Sequence, residues 1–348
     1  MKPMFALALI SAVLCVAGCA FSQKAKQARH DAQVHRQQMD DAADRDAAAK
    51  SDAGLRAQQH QQETRLRQLQ GELAARSDPD SLAASALFAS QLSGFATGSS
   101  LDLAARAVAA APERADLGYL QLQLCESAPG CNAAPLEVRL QQLDPENGIG
   151  WSNLLVRADR ANNGPEWRRA REGLAHSKRV AVYLHQLVSR LAAAAAGRAG
   201  FDFNAAALQL LSIELAFTPT FDPVSRACSE RNVQQPEILT QCRQIAAAFR
   251  NADMALFEAY GATLALRLWP EGSPERQASA AERRALRYRV ELMTQYAVKI
   301  NSPQARKTLA SLIARYPTEQ AAFRALFIEL GLQPDPPSNW TDHTPAVP

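Results

Sequence analysis

From Asp80 to Leu332 the apolar residues of this chain recur every three or four positions, in short runs closed by proline, glycine or a polar break. Leu82 to Leu92 form the first run, with Asp80-Ser81 placed to cap it. Leu101, Ala104, Val108 and Ala111 mark the second, and Leu117, Leu120 and Leu124 mark a third that ends at Cys125. A period near 3.6 residues is the signature of an amphipathic helix, whereas a strand alternates every second residue. Ala and Leu dominate the 47% hydrophobic content, β-branched residues are scarce and aromatics stand at 6%. That bias favours closely approaching helices over sheets. An all-α chain is expected, with enough apolar material for one large core or two small ones.

The later runs extend the pattern. A helix starts near Pro135; Val180, Tyr183, Leu184, Leu187 and Leu191 predict one stripe, and Leu208, Leu211 and Leu215 another, with breaks at Gly197 and Gly200. Asp222-Pro223 starts a short helix before Cys228, and Pro236 suits a first helical turn, which places Cys242 two turns inside the next helix. Another helix runs toward Trp269 and stops at Pro270-Glu271-Gly272. Leu286, Val290, Met293, Ala297 and Ile300 then trace one helical face, and the other sides carry Arg276, Arg283, Arg284, Arg287 and Arg289. Such a density of guanidinium groups either grips an acidic partner or phosphate, or is a solvated face paired internally, as Arg287 with Glu291 would be.

The two flanks read differently. Residues 20 to 76 alternate Gln, Ala, Arg and Asp with little apolar period; Leu66, Leu69 and Leu73 give one short helical seam, too short for a coiled coil. This polar N-terminal tether is a solvated helix or a flexible linker, with a break expected at Gly54. His30 and His35 are five apart and fall on different faces of a helix. From Gln333 the chain is rich in proline, with Trp340 as its one aromatic, and disorder is expected over 333–348, with a docking peptide as the alternative.

At the N-terminus, Lys2 precedes sixteen apolar or small residues from Pro3 to Gly18, and Val16-Ala17-Gly18-Cys19 follows the pattern of small residues before a cysteine. A spanning helix needs about 20 residues, so the run has the length of a signal-peptide core. The stretch resembles the lipobox of bacterial lipoproteins. That resemblance implies cleavage before Cys19, lipid on the Cys19 thiol, and permanent anchoring through more than one acyl chain. Ala20 and Phe21 follow, with no Asp in the inner-membrane retention position, so the implied destination is the outer membrane, periplasmic face. An ordinary secreted protein is the alternative.

In that setting Cys15 is discarded, and Cys125, Cys131, Cys228 and Cys242 remain in an oxidising compartment. Three connectivities are open; Cys125 with Cys131 and Cys228 with Cys242 close the shortest loops, and Pro129-Gly130 supplies a turn inside the first. No Cys-x-x-Cys and no nearby histidine support a zinc site, and no metal or cofactor is expected. The formal charge of +3 becomes +2 once Lys2 leaves, which is no electrostatic footprint for nucleic acid.

Within Leu143-Asp144-Pro145-Glu146-Asn147-Gly148-Ile149-Gly150-Trp151, a proline is followed six residues later by an aromatic and nine later by Leu154. Pro317, Phe323 and Leu326 repeat the spacing, and Ala111-Pro112-Glu113 repeats the turn with Tyr119 displaced by one. These segments resemble tetratricopeptide repeats, although the usual Ala and Gly of each repeat are mostly missing and the units are unevenly spaced. The resemblance covers residues 100–180 and 300–332 and implies an irregular helical-hairpin solenoid for the domain over residues 80–332, with an irregular helical bundle as the alternative. It also implies that Ile149, Ser152, Asn153, Val156 and Asp159 line a concave partner-binding groove.

Motifs for chemistry are sparse. The chain has no Gly-x-Ser-x-Gly, no phosphate-cradling glycine loop and no His-Glu-x-x-His, and His176 and His185 fall on helices without a neighbouring nucleophile. The resulting expectation is a protein-binding scaffold or adaptor lipoprotein, with other envelope proteins as partners and no catalytic residues. The alternative is a periplasmic enzyme acting on the cell wall, with Glu214 or Glu258 as its isolated acid.

Overall fold

The computed structural model describes residues 41–92, 97–214, 220–300 and 302–341. Cys19, the apolar N-terminal run, His30, His35, Leu215, the Glu214 side chain and residues 342–348 lie outside the described residues. Among the described residues the chain is all-α, with sixteen α-helices and one isolated bridge between Asn147 and Arg179. The helices are α1 (Asp41–Ala74), α2 (Pro79–Gln91), α3 (Thr97–Ala110), α4 (Ala115–Glu126), α5 (Ala134–Leu143), α6 (Ile149–Arg160), α7 (Gly164–His176) and α8 (Leu184–Ala195). There follow α9 (Phe203–Glu214), α10 (Asp222–Ala227), α11 (Pro236–Arg250), α12 (Ala255–Leu268), α13 (Pro274–Gln295), α14 (Ala297–Ile300), α15 (Pro303–Arg315) and α16 (Glu319–Glu329). No helix among them is long and apolar enough to cross a membrane.

From α1 to α7 each helix packs on the next, as in a stack of helical hairpins. The order then becomes irregular: α8 and α9 pair and fold back on α2, α15 packs on both, and α11 joins α7 before the run α11, α12, α13. One contiguous core results, from Leu66 in α1 to Phe327 in α16.

The Pro145 segment forms the turn into α6. Leu154 is buried and the Trp151 ring lies over Gly173 of α7, where a Cβ would stand 2.2 Å from the ring. Asn147 in the same turn holds the incoming strand-like segment: its amide donates to the Ala181 carbonyl at 2.8 Å and its oxygen accepts from Ala181 N at 2.9 Å. A second close approach is at Gly261 of α12, where a Cβ would meet Arg250 N at 2.6 Å and Phe249 C at 2.7 Å. The glycine lets α12 lie directly on the α11 backbone.

Both expected disulfides are present: Cys125 with Cys131 across the turn after α4, and Cys228 with Cys242, tying the end of α10 to the second turn of α11. Beside the second bridge, Phe221 stacks on Tyr260 at 4.6 Å and meets Phe257 and Phe249 edge-on at 5.0 and 5.8 Å.

Several expectations are corrected. Helix α1 continues through Gly54 without a break, because nothing crowds that position and the flanking Ala, Gln and Arg propagate the helix. Its last turns are not tether: Leu66, Leu69 and Leu73 are buried against α2 and α8, and Arg65 donates to the Gly200 carbonyl at 2.8 Å. The α2 cap is Asp78, which accepts from Ser81 N at 2.9 Å, with Pro79 in the first turn. Asp80 instead joins Asp116 in holding Arg114. The stripe beginning at Val180 is interrupted, since Val180 and Tyr183 lie before α8 and Tyr183 takes a left-handed φ of 59°. The face from Leu286 to Ile300 is also split, because the chain turns at Tyr296 and puts Ala297 and Ile300 in α14.

Candidate interaction face

Helix α6, the expected groove helix, presents no open groove. Ile149, Ser152, Asn153 and Val156 are all buried in the chain, since α5, α7 and α10 pack around α6. Asp159 is partly exposed and is held by Arg226 of α10, whose Nε donates at 3.2 Å. The repeat resemblance assigns α6 an exposed inner face, and the neighbouring helices cover it here.

The arginine-rich helix α13 is the better candidate. Ser273 caps it, accepting from Arg276 N at 3.3 Å, and Pro274 occupies its first turn. Leu286 and Leu292 bury one side, and Arg250 of α11 grips Glu282 through two hydrogen bonds at 2.6 and 2.7 Å. Arg284 and Arg289 point at the chain's own C-terminal segment. After α16 the backbone turns at Gly331, Leu332 N donates to the Phe327 carbonyl at 2.8 Å, and residues 333–341 run back along α13. The expected disorder is therefore corrected for 333–341: this stretch is docked.

The docking is specific. Arg289 donates to the Pro334 carbonyl at 3.2 Å, to Asp335 at 3.2 Å and to the Gln320 side chain at 2.6 Å. Arg324 of α16 holds the same Asp335 through two bonds at 2.8 and 2.7 Å. Arg284 donates to the carbonyls of Pro337 and Trp340 at 2.8 and 2.7 Å, and its guanidinium lies 5.2 Å from the Trp340 ring centre. Trp340 donates its indole N–H to Glu291 at 3.0 Å and meets the Tyr288 ring edge-on at 5.5 Å. Glu291, at helical spacing from Arg287, thus serves the tail as an acceptor.

Exposure separates these contacts. The Arg289 side chain is 9% exposed, whereas Asp335 and Arg324 are 48% and 45% exposed. Burial pushes the Arg289 guanidinium below its ordinary range, with Asp335 opposing that shift. The Arg324 pair is screened by water and contributes about 0–1 kcal/mol, while a buried cation without a partner costs several kcal/mol.

Glu258 on α12 sits in the field of Arg289, Glu282 and Arg250, and burial raises its carboxyl to about 7. A cavity of about 260 Å³ is lined by Cys228, Glu230, Val233, Leu266, Arg267, Leu268 and Arg276, and Glu258 is not among them. His176 and His185 each meet a backbone carbonyl, of Glu172 and Ile313, at 2.7 Å.

Sequence reasoning named the arginines and the proline-rich tail but did not join them, and it passed over Tyr288, Gln320, Arg324 and Asp335. The available signal was Asp335 between two prolines and Trp340 as the one aromatic of the tail. Comparison with protein-family models, curated proteins and solved structures gives no match, so the face is read from its own geometry.

Proposed function

We propose that this chain is a lipid-anchored, protein-binding scaffold or adaptor on the periplasmic face of the bacterial outer membrane. It is held there through Cys19 and takes other envelope proteins as partners. One observation carries the binding part: the α13 face already holds a peptide segment, turned between Pro337 and Trp340, through four backbone carbonyls, an acid and an aromatic. Proline-rich segments are recognised on aromatic-lined surfaces because they arrive already ordered, and Tyr288 supplies such a surface here. Two closed disulfides support an oxidising compartment, and the run before Cys19 supports lipid attachment.

The test is co-purification from cross-linked, detergent-solubilised envelopes, comparing the unmodified chain with Arg284→Glu/Arg324→Glu. Arg324 is exposed and Arg284 half-buried, and both bond the tail rather than another helix, so the variant should keep its helical content. A defined set of envelope proteins is expected with the unmodified chain and is expected to fall at least fivefold with the variant. Identical sets from both would contradict the assignment of binding to this face.

A further inference from the structure

The α13 face carries a ligand specification that the helical body cannot meet by itself. Arg289 is nine-tenths buried, and of its three hydrogen-bond acceptors only Gln320 belongs to the helices. The other two, the Pro334 carbonyl and Asp335, are brought by the tail. With the tail in place Arg289 is covered and these groups serve it, beside the Glu258 carboxylate in whose field it lies, so any segment that takes the tail's place has to offer Arg289 acceptors in their stead.

The rest of the contact reads main chain, including the turn that Trp340 N closes on the Pro337 carbonyl. Arg284 reads main-chain carbonyls, and Pro334, Pro336 and Pro337 bring no N–H donors to a face lined with guanidinium groups. Prolines also hold the segment extended before it binds, which lowers the cost of ordering it. Two side chains fix the register: Asp335 between Arg289 and Arg324, and Trp340 between Tyr288, Glu291 and Arg284. No residue of 333–341 is buried. The tail therefore lies on the surface without a core anchor, among the elements that open most readily.

Resting on the adaptor reading, we infer that this face is a receptor for a proline-rich partner segment carrying an Asp and, five residues later, a Trp, and that residues 333–341 occupy it as an exchangeable internal ligand. Attachment to the same chain gives the tail a high effective concentration, so a partner segment displaces it where that partner is itself concentrated, as at a membrane surface.

The experiment uses the 348-residue chain and a labelled synthetic peptide covering Gln333 to Thr341. Asp335→Ala/Trp340→Ala in the protein releases its own tail and leaves α13 and α16 intact. The peptide is expected to bind this variant saturably, one to one, at least tenfold tighter than it binds the unmodified chain. A peptide with Asp335→Ala is expected to bind at least tenfold more weakly. In the unmodified chain, excess peptide is expected to speed exchange of the Trp340 amide, which donates to the Pro337 carbonyl, at least tenfold, a readout that needs no variant to fold. Equal peptide affinity for both proteins, or unchanged exchange under saturating peptide, would overturn the inference. A concentration-dependent dimer that the peptide dissolves would identify a second copy as the occupant and overturn the assignment to a partner. Loss of peptide binding with envelope cross-links retained would sink this inference alone, and peptide binding without any envelope partner would sink the adaptor reading alone.

Discussion

Glu319 donates its backbone N–H to the Asp253 carbonyl at 2.8 Å, and the two buried side chains, Asp253 from the loop before α12 and Glu319 from α16, each serve the start of another helix. Asp253 accepts from Val182 N and Leu184 N at 3.0 and 3.1 Å, which closes the start of α8 across about seventy residues of sequence. Glu319 accepts from Ala255 N at 2.8 Å at the start of α12. One pair of acids thus pins α8, α12 and α16 at a single point, and satisfies amides that helix starts otherwise leave open.

That node sets a pH dependence. Burial raises Asp253 from 3.8 to about 6 and Glu319 from 4.5 to about 7. The folded chain therefore binds more protons than the unfolded chain between these values, so the contribution is full below about pH 4 and declines as pH rises toward 7. Glu319→Gln keeps the acceptor for Ala255 N and removes the ionisation. Thermal unfolding followed by circular dichroism should show a flatter midpoint between pH 4.5 and 7.5, and at pH 8 a gain of about 1–3 kcal/mol over the unmodified chain. Parallel pH curves for the two proteins would contradict this reading.

Two glycines in helices are expected to respond in opposite directions. A Cβ at Gly71 meets nothing within 4 Å, so Gly71→Ala should stabilise α1 by up to about 1 kcal/mol through helix propensity alone. At Gly261 the added Cβ would strike the α11 backbone at 2.6 Å, so Gly261→Ala should cost about 1–3 kcal/mol despite the same propensity gain. Urea unfolding of both variants decides it; a stabilised Gly261→Ala would show that α12 does not lie on α11 this closely.

The bridges differ in expected weight. Cys228→Ala/Cys242→Ala opens a loop with a sequence separation of 14 and should cost about 3 kcal/mol, against about 2 kcal/mol for Cys125→Ala/Cys131→Ala, with a separation of 6. Denaturant midpoints of the two double variants test the order. Equal or reversed losses would mean that packing around the sulfurs outweighs loop closure.

Attachment is separately testable. Cys19→Ala removes the proposed lipid acceptor, and the protein is expected to move from the membrane to the soluble periplasmic fraction. Membrane retention of that variant would argue for another anchor.

The helical architecture was largely legible in sequence because it follows from local periodicity and from breaks such as Pro236 and Pro270-Glu271-Gly272. Disulfide pairing was legible because the shortest loops coincide with turns. What escaped the sequence depends on contacts between distant segments. Leu66, Leu69 and Leu73 are core residues only because α8 returns to cover them. Val180 ceases to be helical because Asp253 supplies the α8 start from far away. The tail is ordered only because Arg284, Arg289 and Arg324, from two helices, converge on it. Likewise α6 lost its expected groove to α10, which no local pattern ties to it.

The most direct measurement is site-specific photo-crosslinking in intact envelopes, with a photoreactive aromatic residue in place of Tyr288, the α13 side chain against Trp340, and a control at the exposed Arg106 on α3. A discrete adduct with a second envelope protein is expected from position 288 and not from position 106. Adducts confined to the chain's own tail, or the same adducts from both positions, would contradict a partner-binding role for the α13 face.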